Sequence, residues 1–95
     1  MELKRVVVTG LGAVTPVGNT PEETWANLLA GKSGAAPITH FDTTNFKTKF
    51  ACEVKDLNVA DSIDRKEARK MDRYTQLAII SAMQGIKDSG LDMEK

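Results

Sequence analysis

The sequence predicts an α/β fold in which a sheet lies between helices, and three observations lead there. Val6-Val7-Val8 is a β-branched run without alternation, the pattern of a strand buried on both faces. Residues 46–55 alternate between apolar and polar positions, the pattern of a half-buried strand at a surface. Leu77 to Ile86 is apolar almost all round, the pattern of a helix enclosed on every side. A doubly buried strand needs neighbours on both edges and a layer above and below. The chain offers few candidates for those places, so the expectation is the beginning of a larger folded unit.

Composition sets outer bounds. With 41% hydrophobic and 27% charged residues, the 95-residue chain belongs among globular proteins rather than disordered or fibrous ones. Thirteen basic and thirteen acidic residues cancel, which argues against a general nucleic-acid or anionic-membrane binder; any electrostatic role must come from local clustering. The single cysteine, Cys52, excludes an internal disulfide and a cysteine-built zinc site, and fits a reducing cytoplasm. Met1 leads into a charged segment without the apolar stretch of a signal peptide, and no apolar run reaches the roughly 20 residues that span a bilayer. A soluble cytoplasmic protein is expected, with no nucleic acid, membrane or metal among its partners.

The first strand runs into Thr9-Gly10-Leu11-Gly12. A G-x-G after a strand can bring backbone amides to a pyrophosphate, but the third glycine of that motif would fall at Thr15 and no helix opens after Gly12. Tight backbone packing at a strand end is the reading that fits. A short helix follows, with Thr20 as N-cap, Pro21 at its first position and Glu23 closing a capping box. Trp25, Leu28 and Leu29 give it one apolar face for the core, and Gly31 stops it.

Residues 32–45 read as loop, rich in turn formers such as Gly34, Pro37 and Asp42. They hold the only histidine, His40, a residue type used in acid–base catalysis, but no recognisable catalytic motif pairs it with a nucleophile in sequence. In the next strand Phe46, Phe50, Cys52 and Val54 share the inward face, so Cys52 reads as a small hydrophobe rather than a nucleophile. A long helix then spans residues 64–89, with Asp64 and Glu67 placed for a capping box and Gly90 as its stop; a break near Met71 into two helices is the other reading. Ala78, Ala82, Gly85 and Ser89 form a seam of small residues where another backbone could approach.

On one continuous helix Lys66, Arg69, Lys70 and Arg73 fall within an arc of about 100°, with Arg65 just off it. These cations sit toward the N-terminus, where the helix dipole opposes them. Two readings stand side by side: a solvated face, or a docking surface for an anionic partner.

The motifs Val6-Val7-Val8-Thr9-Gly10-Leu11-Gly12, Thr15-Pro16-Val17-Gly18-Asn19, Trp25, Phe41-Asp42, Lys49-Phe50-Ala51 and Arg65-Lys66-Glu67-Ala68-Arg69-Lys70-Met71-Asp72-Arg73-Tyr74 together resemble the N-terminal region of the β-ketoacyl-acyl carrier protein synthases. The last motif is most like the elongating type II enzymes; the first is shared with type I and polyketide ketosynthases. The resemblance extends over residues 1–95, and it implies one N-terminal segment without internal boundary, part of a thiolase-like fold of five layers. It implies a homodimeric acyltransferase of fatty acid biosynthesis that condenses malonyl-carrier protein with an acyl thioester. A helix-activated cysteine, two histidines and an oxyanion hole would do the chemistry.

The resemblance places none of those catalytic groups within residues 1–95, so Cys52 and His40 do not take their roles. No cofactor is implied, because phosphopantetheine arrives on the carrier protein as substrate. One functional feature does carry over: Lys66, Arg69 and Lys70 match the basic surface that receives acyl carrier protein, with Arg65 and Arg73 as weaker members. Two other functions compete at this point, a non-catalytic carrier-binding module and a nucleotide site built on Gly10 and Gly12.

Overall fold

The computed structural model describes residues 2–92. In chain order it contains α1 (Pro21–Leu29), β1 (Ala35–Pro37), β2 (Phe50–Cys52), a one-turn 3-10 helix (Val59–Asp61), α2 (Arg65–Ala68) and α3 (Arg73–Ser89). β1 and β2 pair antiparallel, Ala35 opposite Cys52 and Pro37 opposite Phe50. The Ile38 amide lengthens the pairing by donating to the Lys49 carbonyl oxygen at 3.0 Å.

The opening segment departs from the expected strand. Residues 2–14 form neither helix nor strand, and Val6 is 87% exposed. A ladder needs a partner edge, and among the described residues the only sheet is β1 with β2, which pair with each other. The segment is held instead by α3. A Cβ on Gly10 would collide with the Gly85 carbonyl oxygen and one on Gly12 with the Ser81 carbonyl oxygen. The glycines serve close backbone packing, as the broken nucleotide motif suggested, and the small-residue seam is used through Gly85 and Ser89, while Ala78 and Ala82 remain exposed.

Side chains on α3 satisfy the backbone laid across them. Asp88 Oδ2 accepts from the Leu11 amide at 3.0 Å, and Gln84 Oε1 accepts from the Ala13 amide at 2.9 Å. Gln84 Nε2 donates to the Asn19 carbonyl oxygen at 2.6 Å. Between those anchors Thr15 and Gly18 exchange backbone hydrogen bonds, and the Asn27 side-chain amide of α1 donates to the Val17 carbonyl oxygen. This paired turn and α1 are thereby fixed to each other.

α1 begins where its cap was expected: Thr20 Oγ1 accepts from the Glu23 amide at 3.1 Å, with Pro21 in the first turn. Its apolar face is not packed on a core, for Trp25 is 63% exposed and no residue of the helix is buried. The predicted loop at residues 32–45 contains β1, which the proline and small residues concealed. Pro37 is tolerated because it stands in a strand with a single neighbour.

The second strand is shorter than its alternation. Residues 42–46 are turned by local bonds: Asp42 Oδ1 accepts from the Thr44 amide and hydroxyl at 3.0 and 2.6 Å, and the Phe46 amide donates to the Thr43 carbonyl oxygen at 2.9 Å. Such bonds compete with a ladder. The two Thr44 donors, hydroxyl before amide, also hold the Asp42 carboxyl below its usual range. Phe46 instead meets Phe41 edge-on, ring centroids 5.5 Å apart. Phe50 and Cys52, expected inward, are exposed, because no layer covers that face.

The predicted long helix is two helices. Asp72 has extended backbone and caps α3, so the chain turns through residues 69–72 between α2 and α3. Aspartate is a weak helix-interior residue and a favoured N-cap, and that preference interrupts the helix even though neither Asp64 nor Asp72 makes a side-chain cap bond. Gly90, in the left-handed region at φ 71°, ends α3 as expected.

Among the described residues, Ile63 and Ile80 are the buried hydrophobic ones. The accessible surface is 7952 Å², against about 5,400 Å² for a folded monomer of this mass. The radius of gyration is 17.0 Å, against about 12 Å for a globular chain of this length. The stretch from Leu77 to Ile86, expected to be enclosed, leaves Met83 and Ile86 open, and Tyr74 at the start of α3 is exposed as well. Both comparisons agree with the reading that Val6–Val8 and the apolar helix call for more covering layers than these residues supply.

Candidate functional site: a cationic turn between two helices

The candidate site begins with α2, a single helical turn whose residues include Arg65 and Lys66. Arg69 is its C-cap, Lys70 lies in the following turn, and Arg73 opens α3. All five side chains are exposed. The break at residues 69–72 removes the continuous helix on which they shared one arc, so the stripe becomes a cluster spanning two helices and their turn.

The break also reverses part of the electrostatic argument. Arg69 and Lys70 lie at the C-terminal end of α2, where helix carbonyls favour cations, while Arg65 and Arg73 each open a helix, where the dipole opposes them. Lys70 has one opposite charge nearby, Glu67 at 4.0 Å, an exposed pair of little energetic weight. Among the described residues Arg65, Lys66 and Arg69 have no ion-pair partner. Exposed cations that nothing local neutralises are free to attract an anionic surface.

The turn is held from α3. Gln76 Nε2 donates to the Ala68 carbonyl oxygen at 3.0 Å, and Arg73 Nη1 lies 3.5 Å from Gln76 Oε1. Gln76 escaped the sequence reading because a lone polar residue in an apolar helix gives no periodic signal. Its position four residues after Asp72 becomes meaningful only once Asp72 is seen to be a cap.

The other candidates do not assemble into chemistry. The Leu11 and Ala13 amides, which flank Gly12 and which a pyrophosphate would require, already donate to Asp88 and Gln84, so the nucleotide reading fails on geometry. His40 Nε2 lies 3.3 Å from Glu53 Oε2, forming an ion pair whenever the imidazole is protonated. Burial acts to raise the Glu53 pKa, but hydrogen bonds from Thr39 and the charge of His40 outweigh it and hold the carboxyl below its usual value. An open hollow of about 360 Å³ borders Thr15, Asn27 and Lys55. The Lys55 ammonium there donates to the Pro16, Gly34 and Glu53 carbonyl oxygens at 3.3, 2.8 and 2.8 Å, a tie between loops rather than a free cation. Among the described residues no three His, Cys, Asp or Glu side chains could hold a metal ion, and no helix is long and apolar enough to cross a membrane.

Comparison with known proteins gives this geometry a context. Residues 3–95 match the N-terminal domain family of the β-ketoacyl synthases. The chain is 50% identical over 95 residues to a 3-oxoacyl-(acyl-carrier-protein) synthase 2 of Vibrio cholerae, covering 100% of this chain and 23% of that protein. It is 48% identical over 92 residues to the synthase of the same name from Staphylococcus aureus strain COL, covering 97% and 22%. Among solved structures, the ishigamide ketosynthase/chain length factor superposes with a TM-score of 0.83 at 40% identity, over 93% of this chain and 22% of that one. The chain thus spans less than a quarter of the length of the curated relatives it matches. Over that span its fold is the α/β fold of a ketosynthase N-terminal domain, with a two-stranded sheet and three α-helices among the described residues.

Proposed function

The chain belongs to the β-ketoacyl synthase family through its N-terminal domain, and from that premise we propose that it serves in a 3-oxoacyl-acyl carrier protein synthase of fatty acid elongation. The observation that carries this reading is the match along the entire chain, at 50% identity, to a synthase of that name. In the proposed reaction an acyl group passes from carrier-protein phosphopantetheine to a cysteine thiolate. Malonyl-carrier protein loses carbon dioxide, the carbanion so formed attacks the acyl thioester, and the cysteine thiolate leaves as the 3-oxoacyl product forms.

No catalytic role is assigned to residues 1–95. Their proposed contribution is recognition: Lys66, Arg69 and Lys70, with Arg65 and Arg73 at the margin, receive the acidic surface of acyl carrier protein. Exposure of all five and the lack of local neutralisation at Arg65, Lys66 and Arg69 support this. The proposal includes a homodimeric, cytoplasmic enzyme that uses no cofactor of its own.

The test is a condensation assay with acyl- and malonyl-carrier protein. The full-length synthase should release carbon dioxide in step with 3-oxoacyl product, and residues 1–95 alone should release none. Turnover by the 95-residue chain would overturn the assignment of chemistry to groups outside it. Failure of the full-length protein to condense these substrates would overturn the function.

A further inference from the structure

We infer that Gln76 is a positioning residue for the cationic turn between α2 and α3, an inference that rests on the carrier-docking reading above. Its backbone amide donates to the Asp72 carbonyl oxygen at 3.1 Å. Its side-chain Nε2 donates to the Ala68 carbonyl oxygen at 3.0 Å. One residue therefore holds both ends of the segment that carries Arg69 and Lys70.

The chemistry of the turn explains why such a tie matters. α2 is a single turn of four residues, far below the length at which a helix holds itself in water. The Ala68 carbonyl belongs to the end of that helix, where carbonyls lack intrahelical partners. It accepts from the Met71 amide at 3.1 Å, and its second lone pair is taken by Gln76. Gln76 is half-buried whereas Arg69 and Lys70 are exposed, so the bond that orders the turn is shielded and the charges it carries are not.

Gln76 Oε1 also faces the Arg73 guanidinium, at 3.5 Å, the far limit of a hydrogen bond. Cations on a turn already ordered lose less conformational freedom when a partner docks. Gln76 touches no substrate; it acts through Arg69 and Lys70.

The test compares one acyl group delivered in two forms, on acyl carrier protein and on coenzyme A, to the full-length synthase. Gln76→Met keeps the shape and removes both the donor and the acceptor. It should raise KM for the carrier-bound substrate about fivefold, the scale of one net hydrogen bond, with kcat and the coenzyme A KM unchanged. A control pair, Lys66→Glu with Arg69→Glu, should raise the carrier KM further. If the pair does so and Gln76→Met does not, the inference is overturned while the docking reading stands. If neither variant changes the carrier KM, the docking reading falls and the inference with it. Equal losses with carrier and coenzyme A substrates would show a general structural role and would also overturn it.

Discussion

A Cβ placed on Gly12 would stand 2.8 Å from the amide nitrogen of Gly85, besides colliding with Ser81, whereas one placed on Gly85 would stand 3.6 Å from the amide nitrogen of Gly12. The two glycines face each other but the constraint is one-sided. Gly12 meets rigid helix backbone, and Gly85 meets ordinary van der Waals distance. Gly12→Ala should therefore destabilise the full-length protein by about 2 to 3 kcal/mol, the scale of an overpacked contact that cannot relax. Gly85→Ala should be neutral or stabilising by up to about 1 kcal/mol, the helix preference of alanine over glycine. Denaturant unfolding of both variants checks the asymmetry.

Gln84 is the second anchor of the opening segment, bonded to Ala13 and Asn19 across more than sixty residues of chain. Gln84→Leu leaves an amide and a carbonyl without these partners in a part-buried place, at a cost of about 2 kcal/mol. The accompanying structural change should be local. Amide hydrogen exchange should accelerate at Ala13 and stay unchanged in the β1–β2 pair.

These anchors show what the sequence could and could not disclose. The start of α1 was legible because Thr20, Pro21 and Glu23 are local signals that act within one turn. The close packing of Gly10 and Gly12 was legible because the nucleotide motif failed. The interruption between Lys70 and Arg73 was visible only as an alternative, since residues 65–73 keep helical charge spacing and Asp72 alone argues for a cap. β1 was hidden because Ala35, Ala36 and Pro37 have little strand propensity and are fixed by pairing with residues thirteen or more positions away. The inward face predicted for Phe50 and Cys52 depends on a covering layer, which no local pattern can supply.

The His40–Glu53–Thr39 cluster gives a pH dependence with a definite sign. The Glu53 carboxyl is held below its ordinary value, so its ionised form favours the folded arrangement. That contribution is fully present above the ordinary glutamate pKa of about 4.3, and it is lost as pH falls through the lowered folded value. Glu53→Gln should flatten this acid limb. Stability against pH, measured for both proteins between neutrality and the acid transition, provides the comparison.

Long-range attraction at the cationic turn should be sensitive to salt. For the full-length synthase KM for carrier-bound substrate should rise as ionic strength rises, while KM for the coenzyme A substrate changes less. In the Lys66→Glu, Arg69→Glu pair the salt dependence should shrink or reverse. An unchanged dependence in that variant would return these residues to a merely hydrated face.

Val6–Val8, α1 and α3 present apolar surface that the other described residues leave uncovered. Differential scanning calorimetry of the 95-residue chain shows whether it can fold cooperatively with that surface open. The expected trace is a broad, weak transition without a cooperative peak. A sharp two-state melt of a monomer, with the calorimetric and van't Hoff enthalpies equal, would contradict it.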